Sequence, residues 1–289
     1  MEAPRFQLAH SDAVAWLRTL PAGSVDLVVT DPPYESLEKH RAIGTTTRLK
    51  HSKASSNDWF SIFPNARFPE LFAEVYRVLK KDSHFYLYCD PETMFVAKPM
   101  AEAAGFKFWK PIIWDKKSIG MGYHYRARYE CILFFEKGKR KLHNLGTADI
   151  LEAPRINGGY PAEKPPAISE TLITQSTEAG QLVIDPFMGS GSVGFAAISK
   201  GRNFLGNDLC KEAVDITRSR LLETHAVEGK LAMTEPSSKK KSEPTKKAKG
   251  EPAAKSAKPV KSEPEAKPPE AKPANADKQA TSPQLGLTL

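Results

Sequence analysis

The sequence predicts an α/β protein with a doubly wound, mainly parallel sheet covered by helices on both sides. Three observations predict it. Apolar runs of strand length alternate with segments whose apolar residues recur at helical spacing. The run "VDLVVT" (25–30) reads as a strand buried on both faces, the pattern of a parallel sheet. A later run, "LVIDPF" (182–187), leads directly into the glycine-rich "MGSGSVG" at the start of a helix.

Each element follows in order. "FQLAH" (6–10) reads as a strand, and Ala13, Leu17 and Leu20 then mark one face of a short helix. After strand 25–30, the residues Phe68, Leu71, Phe72, Val75, Val78 and Leu79 recur at helical spacing and predict an amphipathic helix over 67–80. "HFYLYC" (84–89) is the next strand. Asp90 and Pro91 then read as an N-cap and first helical residue, with Gly105 as the stop. "FKFWKPIIW" and "YECILFF" are strands, and Pro111 places the first near a sheet edge. "LVIDPF" and "NFLGND" are strands joined by a helix at 192–200, and a helix over 211–225 ends the pattern.

The composition changes near residue 230. From Leu231 onward there are 12 Lys against 7 acids and no aromatic residue, in a background of Pro, Ala, Ser and Glu. Such a segment cannot bury enough apolar area to offset chain entropy, so 229–289 is expected to be a disordered tail after a single domain over 1–228. The formal charge of the whole chain is +8. The globular part is nearly balanced, and an anionic partner must therefore meet local basic patches or the tail. Cys89, Cys131 and Cys210 are scattered, with no CxxC pair. That argues against a disulfide framework or a metal site and fits a reducing cytoplasm. No run approaches the ~20 apolar residues of a membrane span, so no membrane role is expected.

Gly189, Gly191 and Gly194 stand in G-x-G-x-x-G spacing. A phosphate-binding P-loop is disfavoured because no Gly-Lys-Ser/Thr follows. A dinucleotide site and a ligand-free tight turn both remain. Asp185-Pro186-Phe187 at the strand tip favours a third reading, a cationic ligand with an amino group such as S-adenosylmethionine. Asp208 ends the next strand, where a carboxylate can accept from ribose hydroxyls.

"TDPPY" (30–34) fixes a carboxylate at the end of a central strand. Asp31 precedes a proline and is biased to extended backbone, and Pro32 and Pro33 stiffen the turn. A nucleobase amine is a poor nucleophile because its lone pair is delocalised into the ring. Asp31 and a backbone carbonyl of the Pro32 turn, accepting its two N–H bonds, would localise that lone pair. Tyr34 offers a flat face on which a flipped base could stack.

"TDPPY", "YPAEKPPAISETLI" and "DPFMGSGSVG", in that order, resemble the β-class amino-methyltransferases of DNA, which modify adenine N6 or cytosine N4. The resemblance covers roughly residues 5–225. It implies a permuted, Rossmann-like S-adenosylmethionine-dependent methyltransferase fold in which the catalytic strand precedes the cofactor strand. It makes Asp31, Pro32 and Tyr34 the catalytic residues and S-adenosylmethionine the cofactor. For cofactor binding it implies Asp12 against the adenine, Lys164 in the Lys-Pro element, Asp185, Phe187, Gly189, Ser190 and Gly191 around the methionine side, and Asp208 on the ribose. Tyr160, Pro161 and Ala162 replace the frequent His-Pro-Thr, and "GND" replaces Gly-hydrophobic-Glu. Asp at the first motif position favours adenine N6, with cytosine N4 as the alternative and a catalytically dead nucleic-acid-binding module as the non-enzymatic one. The implied partner is double-stranded DNA with base flipping, and a homodimer and a cognate restriction nuclease are left open. Two segments are candidates for reading DNA, 35–66 and 137–160, together with the basic, aromatic-interleaved "GYHYRARYE".

Overall fold

The computed structural model describes residues 3–36, 61–120, 124–157, 160 and 162–233. Most of the 35–66 segment (37–60) and the tail from 234 onward lie outside the described residues. The strands are β1 (Arg5–His10), β2 (Val25–Thr30), β3 (Leu79–Cys89), β4 (Lys107–Asp115), β5 (Tyr129–Lys137), β6 (Ile150–Glu152), β7 (Leu182–Asp185), β8 (Asn203–Asp208) and β9 (Val227–Glu228). The helices are α1 (Ala13–Thr19), α2 (Phe68–Val78), α3 (Pro91–Ala103), α4 (Pro166–Ser176), α5 (Ser192–Ser199) and α6 (Lys211–Leu222).

The strands form one sheet in the order β6-β4-β5-β3-β2-β7-β8-β1-β9. Only β5 runs antiparallel to its two neighbours among the described pairs. Both faces are covered, as predicted. Val14, Leu17, Phe68, Phe72, Val75 and Ala97 from α1, α2 and α3 pack in one core. Ile168, Leu172, Ala196, Ala197 and Val214 from α4, α5 and α6 pack in the other. In β2 the residues divide between them: Val25 and Val28 face the first core, Leu27 and Val29 the second.

The crossover after β2 therefore lies on one face and the crossover after β7 on the other. β2 and β7 are parallel neighbours, with Leu27 opposite Val183 and Val28 opposite Ile184. In an open α/β sheet that reversal leaves a crevice beyond the carboxyl ends of the two strands, where ligands bind. Asp31 follows one strand and Asp185 ends the other.

Three elements were not predicted. α4 is announced by Ile168, Leu172 and Ile173 at helical spacing, but the prolines before it obscure its start. β6 and β9 have three and two residues and carry no periodic signal. β3 begins earlier than expected, because the polar "KKDS" enters the strand beside a register shift against β2, with Asp82 at positive φ. Pro111 does sit where β4 lacks an outer partner, since β6 covers only Ile113–Asp115.

Candidate active site

A cavity of about 670 Å³ opens beyond the carboxyl ends of β2 and β7. Asp12, Asp31, Pro32, Tyr34, Lys164, Asp185, Phe187, Gly189, Ser190 and Asp208 all line it. Of the residues expected from the sequence, Gly191 alone is not on its wall. Residues separated by more than 150 positions thus meet because two distant strands are neighbours.

One half is built on β7 and β8. Asp185 is fully enclosed and accepts from the Thr30 hydroxyl at 2.6 Å and the Phe187 amide at 3.0 Å. Burial pushes its carboxyl up to about 7; these two hydrogen bonds restrain the rise, and the charges of Asp31 and Asp208 add to it. Asp208 accepts from the Gly189 and Cys210 amides at 2.9 and 2.8 Å, and burial raises its pKa. Asn207 donates to the Ser11 and Pro186 carbonyls, and its Oδ1 is a buried acceptor without a hydrogen bond among the described residues. The glycine loop is held by Thr217, whose hydroxyl donates to the Gly189 carbonyl at 2.8 Å.

Gly191, expected around the methionine side of the cofactor, does not line the cavity. Its φ is +77°, and an added Cβ would stand 2.5 Å from Thr217 Cγ2, on the α6 side of the loop. Glycine is required there by backbone conformation and helix packing. Close approach to the cavity instead falls to Gly189, at φ +50°, which lines it.

Asp12 has two engagements. It caps α1, accepting from the Val14 and Ala15 amides, and its carboxylate takes a two-pronged contact from Arg67 at 2.7 and 3.0 Å. The Arg67 hydrogen bonds hold its carboxyl at about 2 against the opposing effect of burial. Arg67 also lies over the Phe63 ring, which meets Phe187 edge-on. A lone basic residue before an amphipathic helix gave no sequence signal for this wall.

The other half surrounds Asp31. Tyr34 is 8% exposed, and its hydroxyl donates to Asp31 Oδ1. Burial raises the Tyr34 pKa well above the ordinary phenol value, with the charges of Asp31 and Glu130 adding, so the hydroxyl stays a donor. Lys164 Nζ lies 2.5 Å from Asp31 Oδ2. The segment carrying it is pinned to the glycine loop: Ser192 donates to the Lys164 carbonyl at 2.6 Å, and Arg220 bridges Glu163 and the Ser190 carbonyl. Lys164 thus joins the two halves, with its side chain at the acid of the "TDPPY" turn.

Lys116, Glu130, Tyr88, Asp90 and Tyr129 complete the cavity. Sequence reasoning gave none of them a place in this site: Asp90 was read as an N-cap, and Tyr129 and Glu130 fell within a stretch read as DNA-facing, because the sequence does not show that β5 is antiparallel. Its first residues, Tyr129 and Glu130, therefore reach the edge where the parallel strands end. A charged residue at the start of an otherwise apolar strand was the available sign. Several cations of the expected DNA-reading stretches are engaged internally. Arg128 forms a two-pronged pair with Asp115, and Lys137 donates to the Tyr76 and Leu79 carbonyls at the end of α2.

An acid on a proline-stiffened turn thus faces an acidic, aromatic pocket under a glycine loop, at the carboxyl edge of a doubly wound sheet. The chain belongs to the DNA methylase family (N6_N4_Mtase), which it matches over residues 25–219. It is 29% identical over 255 residues to the DNA adenine methyltransferase YhdJ of Escherichia coli (strain K12), covering 74% of this chain and 82% of that one. Its fold matches a putative DNA modification methylase of Thermus thermophilus complexed with S-adenosyl-L-methionine, with TM-score 0.58, 21% identity, and 78% and 100% of the two chains covered. The cytosine-N4-specific PvuII DNA methyltransferase shares it too, at TM-score 0.59 and 18% identity, over 75% and 86% of the chains.

Proposed function

We propose that the protein is a site-specific DNA methyltransferase that uses S-adenosylmethionine to methylate adenine N6 within a short target sequence. The observation that carries this reading is Asp31, set on a rigid turn in a cavity whose other half is acidic and aromatic. The relative YhdJ, named as an adenine enzyme, favours adenine over cytosine N4.

The residues present fit the cofactor. Its ammonium suits the buried Asp185, its ribose hydroxyls suit Asp208, and its adenine suits the Asp12–Arg67 and Phe63–Phe187 wall. A cavity of this size falls in the usual range for small-molecule pockets. When bound, S-adenosylmethionine supplies an electrophilic methyl group. Asp31 accepts a hydrogen bond from the target amino group, localises its lone pair and stabilises the positive charge that develops on nitrogen. The Pro32 turn supplies the second acceptor. Tyr34 holds Asp31 through its hydroxyl and gives its ring to the wall against which the flipped base lies.

The Tyr34 roles separate by substitution. Tyr34→Phe loses the clamp on Asp31 and keeps the ring, whereas Tyr34→Ala loses both. Single-turnover rates are expected to fall in the order parent, Phe, Ala. Equal rates for the two variants would remove the ring from the mechanism.

Asp185 makes cofactor binding pH-dependent. Its folded-state pKa is raised to about 7, so the carboxyl is protonated below that pH. A cationic ligand selects the ionised form, and binding releases a proton. Affinity for S-adenosylmethionine should therefore rise by about tenfold per pH unit from pH ~5.5 and level off near 7, a range in which the ligand's ammonium stays charged. Calorimetry should show this slope, and Asp185→Asn should abolish it. A flat profile in the parent protein would remove Asp185 from the ammonium site.

We read 1–228 as the catalytic unit, with double-stranded DNA as its partner in the cytoplasm and 229–289 as an extension outside the chemistry. Residues 35–66, with 137–160 and the β4–β5 connection, are read as the DNA-facing segments. The deciding assay incubates duplex DNA with the protein and methyl-labelled cofactor, then digests it to nucleosides. N6-methyl-2′-deoxyadenosine is the expected product. N4-methyl-2′-deoxycytidine would transfer the reading to cytosine, and an absence of label would overturn it.

A further inference from the structure

Asp31 stands at the end of a row of alternating charges. Lys164 Nζ lies 2.5 Å from Asp31 Oδ2, Glu130 Oε2 lies 3.3 Å from the same nitrogen, and Lys116 Nζ holds Glu130 Oε1 at 2.7 Å. Two carboxylates and two ammoniums balance, and all four residues line one cavity. Lys164 and Lys116 side chains are each 11% exposed, so the row is largely shielded from water. Burial works against the Lys164 charge, but Asp31 and Glu130 outweigh it and hold the ammonium protonated.

The row is unevenly bonded. Glu130 Oε2 is buried and makes no aligned hydrogen bond among the described residues, although an ammonium stands beside it. Burial opposes ionisation of Glu130, but both ammoniums favour the ionised carboxylate and lower its pKa. Asp31 has one partner on each oxygen, the Tyr34 hydroxyl on Oδ1 and the Lys164 ammonium at Oδ2. An entering amino group brings a further N–H donor and a developing positive charge to this carboxylate, and the ammonium already against Asp31 Oδ2 repels that charge. The Tyr34 hydroxyl is fixed on a buried ring. Lys164 Nζ ends a flexible four-carbon stem and has a second carboxylate within reach.

We propose that Lys164 is a two-position ammonium and that Glu130 is the positioning residue that takes it from Asp31 when the target amino group arrives. The inference rests on the reading of Asp31 as the amino acceptor. Moving Nζ away from Asp31 and closer to Glu130 exchanges one close ion pair for another. It transfers no proton and leaves the net charge of the row unchanged. Asp31 Oδ2 becomes more open to accept, and its carboxylate is less neutralised by the adjacent ammonium at the moment positive charge develops on the base.

Glu130→Gln tests this in the full chain. The amide keeps the shape and an oxygen for Lys116 but loses the charge that draws Lys164. The single-turnover rate on duplex DNA should fall on the order of 10- to 100-fold, with cofactor and DNA Kd within about 3-fold of the parent. Glu130→Gln with Lys116→Gln restores the charge balance and should show the same fall, which covers the case in which the single variant does not fold. Glu130→Gln with Lys164→Gln removes the competing ammonium and should be at least about 3-fold faster than Glu130→Gln alone. A parent-like rate in either Glu130 variant that folds, a fall accounted for by weaker cofactor or DNA binding, or no gain in the Lys164 double variant would overturn the proposal. Asp31→Ala, run alongside, separates the two ideas. If it is active, the amino-acceptor reading fails and takes this proposal with it. If it is inactive while Glu130→Gln is fast, this proposal alone fails.

Discussion

Asp31→Ala should lose methyl transfer by roughly 10²- to 10³-fold or more, equivalent to about 3–4 kcal/mol of transition-state stabilisation. S-adenosylmethionine affinity should change by less than about 3-fold, because the residues proposed to hold the cofactor, Asp12, Asp185 and Asp208, do not include Asp31. The measurement belongs at about pH 8. The Asp31 charge helps raise the Asp185 pKa, so at lower pH its removal would strengthen cofactor binding and blur the separation. The variant also leaves Lys164 to Glu130, its remaining carboxylate partner in the row. Near-normal turnover would show that another group activates the amine.

Gly191→Val should cost folding stability as well as cofactor binding. A β-branched residue at φ +77° carries roughly 1–3 kcal/mol of backbone strain. The added Cβ at 2.5 Å from Thr217 Cγ2 must also push α6 or the loop away, at roughly 1–3 kcal/mol more. For a domain of this size the combined effect is a fall in Tm on the order of 10 °C. Cofactor affinity should fall because Gly189 and Ser190 move with the loop. Gly191→Ala in a Thr217→Ser background removes the Cγ2 contact and should recover part of the loss. If Gly191→Val matches the parent in Tm and binds cofactor normally, the loop is not held as described.

Much of this arrangement was legible in the sequence, for identifiable reasons. β2 and β7 are largely apolar strands that lead into acids, Asp31 just after β2 and Asp185 at the end of β7, and each acid is followed by proline. Fixed backbone chemistry of that kind survives in a linear string. The order of the motifs carried the permutation, which the structure realises as the pairing of β2 with β7. Tertiary geometry hid the remainder. The antiparallel course of β5 brings Glu130 to the site, and no periodicity reports strand direction. Arg67 meets Asp12 across 55 residues, and Gly191 faces a helix more than 20 residues downstream. Lys164 was expected beside the cofactor; its backbone is at the glycine loop, but its ammonium is at Asp31.

The most direct test of the account is sequencing that reads modified bases on genomic DNA treated to completion with the purified protein and S-adenosylmethionine. The account predicts N6-methyladenine at one position of a single recurring short sequence, with untreated DNA and DNA treated with Asp31→Ala lacking it. Methylated cytosine, adenine methylation without a recurring sequence, or the same marks from Asp31→Ala would contradict it.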